Sequence, residues 1–167
     1  MKYDTIIIGG GLSGLAAGLR LVGQGCSVAI VSMGQSALHF NSGSLSLFGN
    51  DGHGDVESPL DAMLSLSAAH PYNKVGMGRI KEILPRIKPM FEDAGIRLRG
   101  SSIRNHYRLT PIGMFKPAWL TMEEYASTED PECSGWGKIL AVNLSGFLDF
   151  YPTFIARGLQ NVGVDCE

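Results

Sequence analysis

Tyr3-Asp4-Thr5-Ile6-Ile7-Ile8-Gly9-Gly10-Gly11-Leu12-Ser13-Gly14 decides how the rest of this chain is read. An apolar, β-branched run feeds directly into Gly9-x-Gly11-x-x-Gly14, and an amphipathic stretch follows at once. Strand, tight turn and helix start, in that order, build the phosphate cradle of a nucleotide-binding βαβ unit. Each glycine has a separate task. Gly9 makes the turn, Gly11 lets the backbone approach a phosphate, and Gly14 lets the helix pack close to the strand. The phosphate then meets the helix N-terminus, where unpaired N–H groups and the macrodipole favour negative charge. Gly9, Gly11, Ser13 and Gly14 are therefore the first candidate cofactor-binding residues.

Working outward, residues 3–8 predict a buried strand. Leu12, Leu15, Ala16, Leu19 and Val22 recur at helical spacing, which predicts a helix over 12–24 closed by Gly23 and Gly25. Residues 26–31 predict a second strand, parallel to the first because a helix crosses between them. The expected fold class is α/β: a Rossmann-like FAD/NAD(P)-binding βαβ start with a parallel sheet, plus inserted helices and short strands. Two clear strands are too few for a doubly wound sheet, so the domain is expected to be incomplete. The expected organisation is a βαβ unit and loop over 1–50, an inserted helical and short-strand region over 51–138, and a return to the sheet over 139–167.

The second half of the dinucleotide fingerprint is an acid at the end of the second strand, which binds the ribose hydroxyls. Here that place is taken by Ser32, in Ala29-Ile30-Val31-Ser32-Met33-Gly34. A hydroxyl does not clamp a diol as a carboxylate does. The absence moves the expected cofactor from FAD or NAD towards FMN, which lacks the adenosine ribose, with FAD as the alternative. No arginine follows closely, so NADP is not favoured. A vestigial nucleotide fold in a non-catalytic assembly or electron-relay subunit remains a second reading, and an NAD-linked dehydrogenase a third.

The Ser-, Gly- and Asn-rich loop after Ser32 leaves the strand on the side where cofactors sit in such sheets. It offers Gln35, Ser36, Ser42 and Gly43 as cofactor contacts, and His39 as the candidate acid or base. Further along, helices are expected over 59–69 and 75–94, the second kinked or shortened by Pro85 and Pro89. Short strands are expected over 96–99, 106–109, 114–116, 139–144 and 162–166. A surface loop is expected over 124–137, and a helix capped by Asp149 running to about residue 159. His70 is read as a cap of the helix before it, and His53 and His106 as structural or surface groups without partners at metal spacing. Arg97, Arg99, Arg104 and Arg108 are either a solvated sheet face or an anion site. Trp119 and Trp136 are read as packing residues. No Ser–His–Asp order, paired carboxylates or Walker lysine is visible, and no metal site is expected.

Composition sets the outer bounds. The chain has 167 residues, 44% hydrophobic and 18% charged, with a formal net charge of −2. That balance gives no electrostatic case for nucleic acid or an anionic surface. No apolar run approaches the roughly 20 residues needed to span a bilayer. Cys26, Cys133 and Cys166 are odd in number and widely spaced, which suits a reducing compartment. The 22 glycines imply many tight turns.

One stretch is more specific than the glycine turn. Ile30-Val31-Ser32-Met33-Gly34-Gln35-Ser36-Ala37-Leu38-His39-Phe40-Asn41-Ser42-Gly43-Ser44-Leu45 resembles the B subunits of bacterial anaerobic glycerol-3-phosphate dehydrogenases. So do, in order, Ala69-His70-Pro71-Tyr72, Thr110-Pro111-Ile112-Gly113, Trp119-Leu120 and Ser145-Gly146-Phe147-Leu148-Asp149-Phe150. The resemblance spans this chain but only the N-terminal part of that family's proteins. It implies oxidation of sn-glycerol 3-phosphate to dihydroxyacetone phosphate in anaerobic respiration, with electrons passed towards quinone (the EC 1.1.5.3 reaction). It also implies an FMN protein working with a catalytic A subunit and an iron–sulfur C subunit that ties the complex to the inner membrane from the cytoplasm. No catalytic residue carries over from it.

Overall fold

The computed structural model describes residues 2–101 and 103–167. The chain divides into two compact units, Met1–Ser42 and Gly43–Glu167.

The first unit has the expected βαβ order, but its first strand, expected to be buried, is not: Ile6 is 63% and Ile8 90% exposed, because the two-stranded sheet leaves one face uncovered. Strand β1 is Thr5–Ile8, helix α1 is Leu12–Val22 and strand β2 is Val28–Val31. The β-branched isoleucines suit an extended backbone. The helix stops where Gly23 caps it and Gly25 takes φ +85°. The two strands pair in parallel, from Thr5 opposite Val28 to Ile8 opposite Val31. The Asp4 carboxylate accepts from the Ser27 N–H at 2.8 Å and pins the N-terminal ends of the pair. Gly18 is the contact point of helix on sheet, because a Cβ there would meet Ile30 Cδ1 at 3.1 Å. Ser36 then caps a 3₁₀ turn over Ala37–Phe40, its hydroxyl accepting from the Leu38 N–H at 3.2 Å.

The second unit begins with β3, Ser44–Leu45. Helix α2, Pro59–Ala62, tightens into a 3₁₀ turn over Met63–Ser65, so it is shorter than the 59–69 expected. Helix α3, Pro71–Val75, leads into α4, Met77–Asp93. Pro85 and Pro89 do not break α4. They stand four apart on its exposed face, so the carbonyls that lose their helical partners, Lys81 and Pro85, belong to exposed residues. Ile80 and Leu84 are buried on the opposite side. Five strands follow: β4 Leu98–Arg99, β5 His106–Leu109, β6 Phe115–Ala118, β7 Leu120–Met122 and β8 Ser127–Thr128. Helix α5 is Pro152–Asn161. The sheets are antiparallel, in the orders β3-β7-β4 and β6-β5-β8.

Two apolar clusters hold this unit. One joins Leu47, Met63, Ile80, Leu84, Leu98, Trp119 and Leu120, and the other Cys133, Ile155, Leu159, Val164 and Cys166. Trp119 and Trp136 both pack, as expected. Trp119 sits in the first cluster, and Trp136 lies edge-on to Phe115 with ring centres 5.8 Å apart. The strands expected over 139–144 and 162–166 are not regular strands. They meet each other in a single parallel bridge, Ile139 to Cys166, with Ala141 N–H donating to the Glu167 carbonyl at 2.7 Å. Residues 127–128, expected in a loop, form the edge strand β8 because they find β5 as a partner. Tyr151, not Asp149, occupies the N-cap of α5. Cys26, Cys133 and Cys166 are free thiols. No helix among the described residues is long and apolar enough to cross a membrane.

His70 corrects another expectation. It caps the helix that follows, α3, with Nδ1 accepting from the Tyr72 N–H at 3.2 Å. Pro71 behind it is preset for a first helical turn. His70→Ala is expected to destabilise the fold by about 1 kcal/mol, and His70→Asn to retain most of that. Urea unfolding midpoints of the two variants check this.

Candidate functional site

The cradle is built at the C-terminal end of β1. The Gly9 N–H donates to the Val31 carbonyl at 2.8 Å, and Gly9 turns the chain away with φ +112°, a conformation that favours glycine. Gly11 is the N-cap of α1 with φ −76° and ψ 177°, an ordinary extended backbone. No side chain caps α1, and its first turn holds no acid. Its leading N–H groups therefore have no intrahelical acceptor and no competing anion.

The glycines separate by what a side chain would meet. A Cβ on Gly11 finds nothing within 4 Å, so open space stands over the helix N-terminus. A Cβ on Gly14 would collide with the backbone carbonyl of Gly9. Gly14 thus fixes the turn, and Gly11 leaves room for a ligand. Gly10, which the motif leaves unassigned, also matters. Its Cβ would stand 3.1 Å from Ser32 Oγ, so a bare backbone there keeps β2's end beside the turn.

Ser32 directly follows β2, is exposed, and donates to the Gly34 carbonyl at 3.4 Å. Asp4 is the one acidic residue in the first unit, and it is committed to Ser27 at the far end of the strands. This unit offers an uncapped helix N-terminus and, beside the turn, an exposed serine hydroxyl at the end of β2. An unblocked helix N-terminus beneath open space fits the diphosphate of a dinucleotide.

The other sequence candidates scatter. Gly9, Gly11, Ser13, Gly14 and Ser32 come together at the turn. Gln35 and His39 are exposed, with the His39 ring edge-on to Phe40 at 4.9 Å. The Ser36 hydroxyl is used in capping its 3₁₀ turn. Ser42 ends the first unit, and Gly43 begins the second, where its carbonyl accepts from the Met122 N–H at 2.8 Å. The arginines do not converge on one site. Arg97 pairs with Glu123 at 3.2 Å and Arg104 with Glu57 at 2.8 Å, both on the surface. Arg99 is exposed on β4, while Arg108 is buried on β5.

His106 is a buried structural histidine. One ring nitrogen, Nε2, shares a 2.8 Å hydrogen bond with Thr121 Oγ1, and Nδ1 has no partner. Burial holds its pKa below the ordinary imidazole value, against the opposing pull of the Glu129 charge and with the Arg99 charge a still smaller influence. The folded protein therefore resists a proton that the unfolded chain accepts. Stability is unaffected well above pH ~6.5 and falls as pH drops through that value. His106→Gln is expected to flatten this acid slope, as read from unfolding midpoints at pH 7.5 and 5.5.

Comparison with known proteins accords with the geometry. The chain matches the family described as FAD binding domain over residues 4–166. It is 41% identical over 170 residues to the B subunit of the anaerobic glycerol-3-phosphate dehydrogenase of Yersinia pestis, covering 99% of this chain and 40% of that protein. The protein of the same name from Yersinia enterocolitica is 44% identical over 172 residues, covering 99% of this chain and 40% of its own length. That from Pasteurella multocida is 34% identical over 163 residues, covering 95% and 38%. The resemblance read from residues 30–45 is borne out by these names. The chain spans about 40% of the length of these relatives. No solved structure gives a significant match. The matched family supports a flavin, FAD in particular, and does not support FMN as first choice. Ser32 does not decide against FAD, since a hydroxyl and main-chain groups also hydrogen-bond a ribose in place of a carboxylate.

Proposed function

This chain belongs to the FAD binding domain family, and on that premise we propose that it forms the dinucleotide cradle of a flavin-dependent glycerol-3-phosphate dehydrogenase subunit. The observation that carries the proposal is the free N-terminus of α1 beneath the open space at Gly11. In this reading the βαβ unit is a Rossmann start. The N–H groups of Gly11, Leu12 and Ser13 hold the FAD diphosphate, Gly9 and Gly14 fix the turn that presents them, and Ser32 hydrogen-bonds the adenosine ribose. Bound FAD supplies a hydride acceptor, and the protein supplies its position and field. The substrate is sn-glycerol 3-phosphate, oxidised at its secondary alcohol, and the electrons pass through partner subunits towards quinone. Those partners are a catalytic A subunit and an iron–sulfur C subunit. The place of action is the cytoplasmic face of the inner membrane.

The relatives' shared name supports the substrate. Anaerobic addition of sn-glycerol 3-phosphate to the full-length, FAD-loaded protein tests the reading. Bleaching of the visible flavin band by this compound, and not by glycerol, is expected. Bleaching only after the A subunit is added assigns this subunit to electron relay. No bleaching in either case overturns the proposal.

A further inference from the structure

Beyond the dinucleotide cradle, the second unit contains a feature that the proposed dehydrogenase function does not use. A cavity of about 430 Å³ lies beside β5, α5 and residues 139–142. Its size falls within the range of small-molecule sites. Most of its wall is apolar, including Ala141, Ile155 and Leu159, but Arg108 also lines it.

Arg108 is only 7% exposed. Its hydrogen bond is a long one, 3.4 Å from Nη1 to the neighbouring Leu109 carbonyl. Among the described residues no carboxylate lies within ion-pair distance of it. The contrast with the surface is direct. Arg79, Arg86, Arg97 and Arg104 each have a glutamate partner although water could solvate them. Arg108 has no ion pair among the described residues, and its guanidinium nitrogens without a hydrogen bond are not sealed from solvent. Tyr125, which lines the same cavity, adds a polar group beside Arg108.

We propose that this cavity binds a small amphiphilic oxyanion, with its carboxylate or phosphate head on Arg108 and its alkyl body against the apolar wall. The head group makes a charge-assisted hydrogen bond to the guanidinium, in the bidentate geometry that arginine favours. A glycerol backbone would leave the apolar wall uncovered, so this ligand is distinct from glycerol 3-phosphate.

Titration calorimetry on the full-length protein tests the proposal, with decanoate, decyl phosphate and neutral decanol as probes. At least one anionic probe is expected to bind ~10-fold or more tightly than decanol. The better anion identifies the head group. Arg108→Met is expected to abolish that preference. Ala141→Trp keeps Arg108 but fills the cavity, and is expected to lose anion binding. It carries the test if Arg108→Met does not fold. The proposal is overturned if neither anion binds, if decanol binds as well as the anions, or if either folded variant binds the anions as the parent does.

Discussion

Gly11→Val is expected to lower FAD affinity at least ~100-fold, about 2.7 kcal/mol, while leaving the melting temperature of the flavin-free protein within about a degree of the parent. The two halves of that expectation have separate causes. Gly11 has φ −76° and ψ 177°, which valine adopts readily, and its Cβ would meet no atom within 4 Å. The folded protein has no reason to resist the substitution. In the proposed reading the phosphate approaches the N–H groups of α1 through the same empty volume, and an isopropyl group would fill it. Gly14→Ala is expected to behave differently. Its Cβ would strike the Gly9 carbonyl, which is backbone and cannot swing aside, so stability and affinity fall together. Differential scanning fluorimetry without flavin, paired with FAD titration, separates the two variants. A stable Gly11→Val protein with parental FAD affinity would remove the phosphate role from this turn.

Gly158→Ala is expected to cost ~3 kcal/mol or more of folding stability. Helix propensity alone predicts the opposite sign, since alanine is favoured over glycine by about 1 kcal/mol inside a helix. Packing decides the outcome. Gly158 lies on α5 against the turn closed by the Gly113 N–H donating to the Thr110 carbonyl at 2.9 Å. A Cβ on Gly158 would overlap the Gly113 backbone. A Cβ on Gly113 would in turn overlap the Phe154 carbonyl, and Gly113 also has φ +77°. Neither side can yield without moving the helix off the turn. Gly78 in α4 is the control, because its Cβ would meet nothing within 4 Å. Gly78→Ala is expected to be neutral or stabilising by up to about 1 kcal/mol. Denaturant unfolding of the two variants measures the difference.

The legible parts of the fold are those in which a local pattern and a packing demand agree. Ile6–Ile8, the glycine turn and the amphipathic run through Val22 specify one arrangement at each level, and the βαβ unit has it. β5 falls at 106–109 as expected. Segments 139–144 and 162–166 have strand-like composition too, but composition does not choose a partner. They pair with each other through one bridge and do not extend the parallel sheet. Pro85 and Pro89 lie inside α4 without ending it, since a proline's cost depends on which face it occupies and Ile80 and Leu84 face the core.

At the site, the turn roles of Gly9 and Gly14 are readable because a positive φ and a close packing contact each require glycine. Gly10 is not, since its constraint comes from Ser32, 22 residues further along the chain. The missing carboxylate at Ser32 is plain in the sequence, but one residue does not choose between two flavins when main-chain groups share the work. Arg108 is one of four arginines between residues 97 and 108. Only the fold distinguishes the buried, unpaired one from those on the surface.

The central claim is that the turn from Gly9 to Gly14 holds a flavin dinucleotide. Heat denaturation of the purified full-length protein, followed by chromatography of the released cofactor, tests it most directly. FAD in near-equimolar amount to protein is the expected result. Release of FMN alone, or no flavin from protein reconstituted with excess FAD, would contradict it.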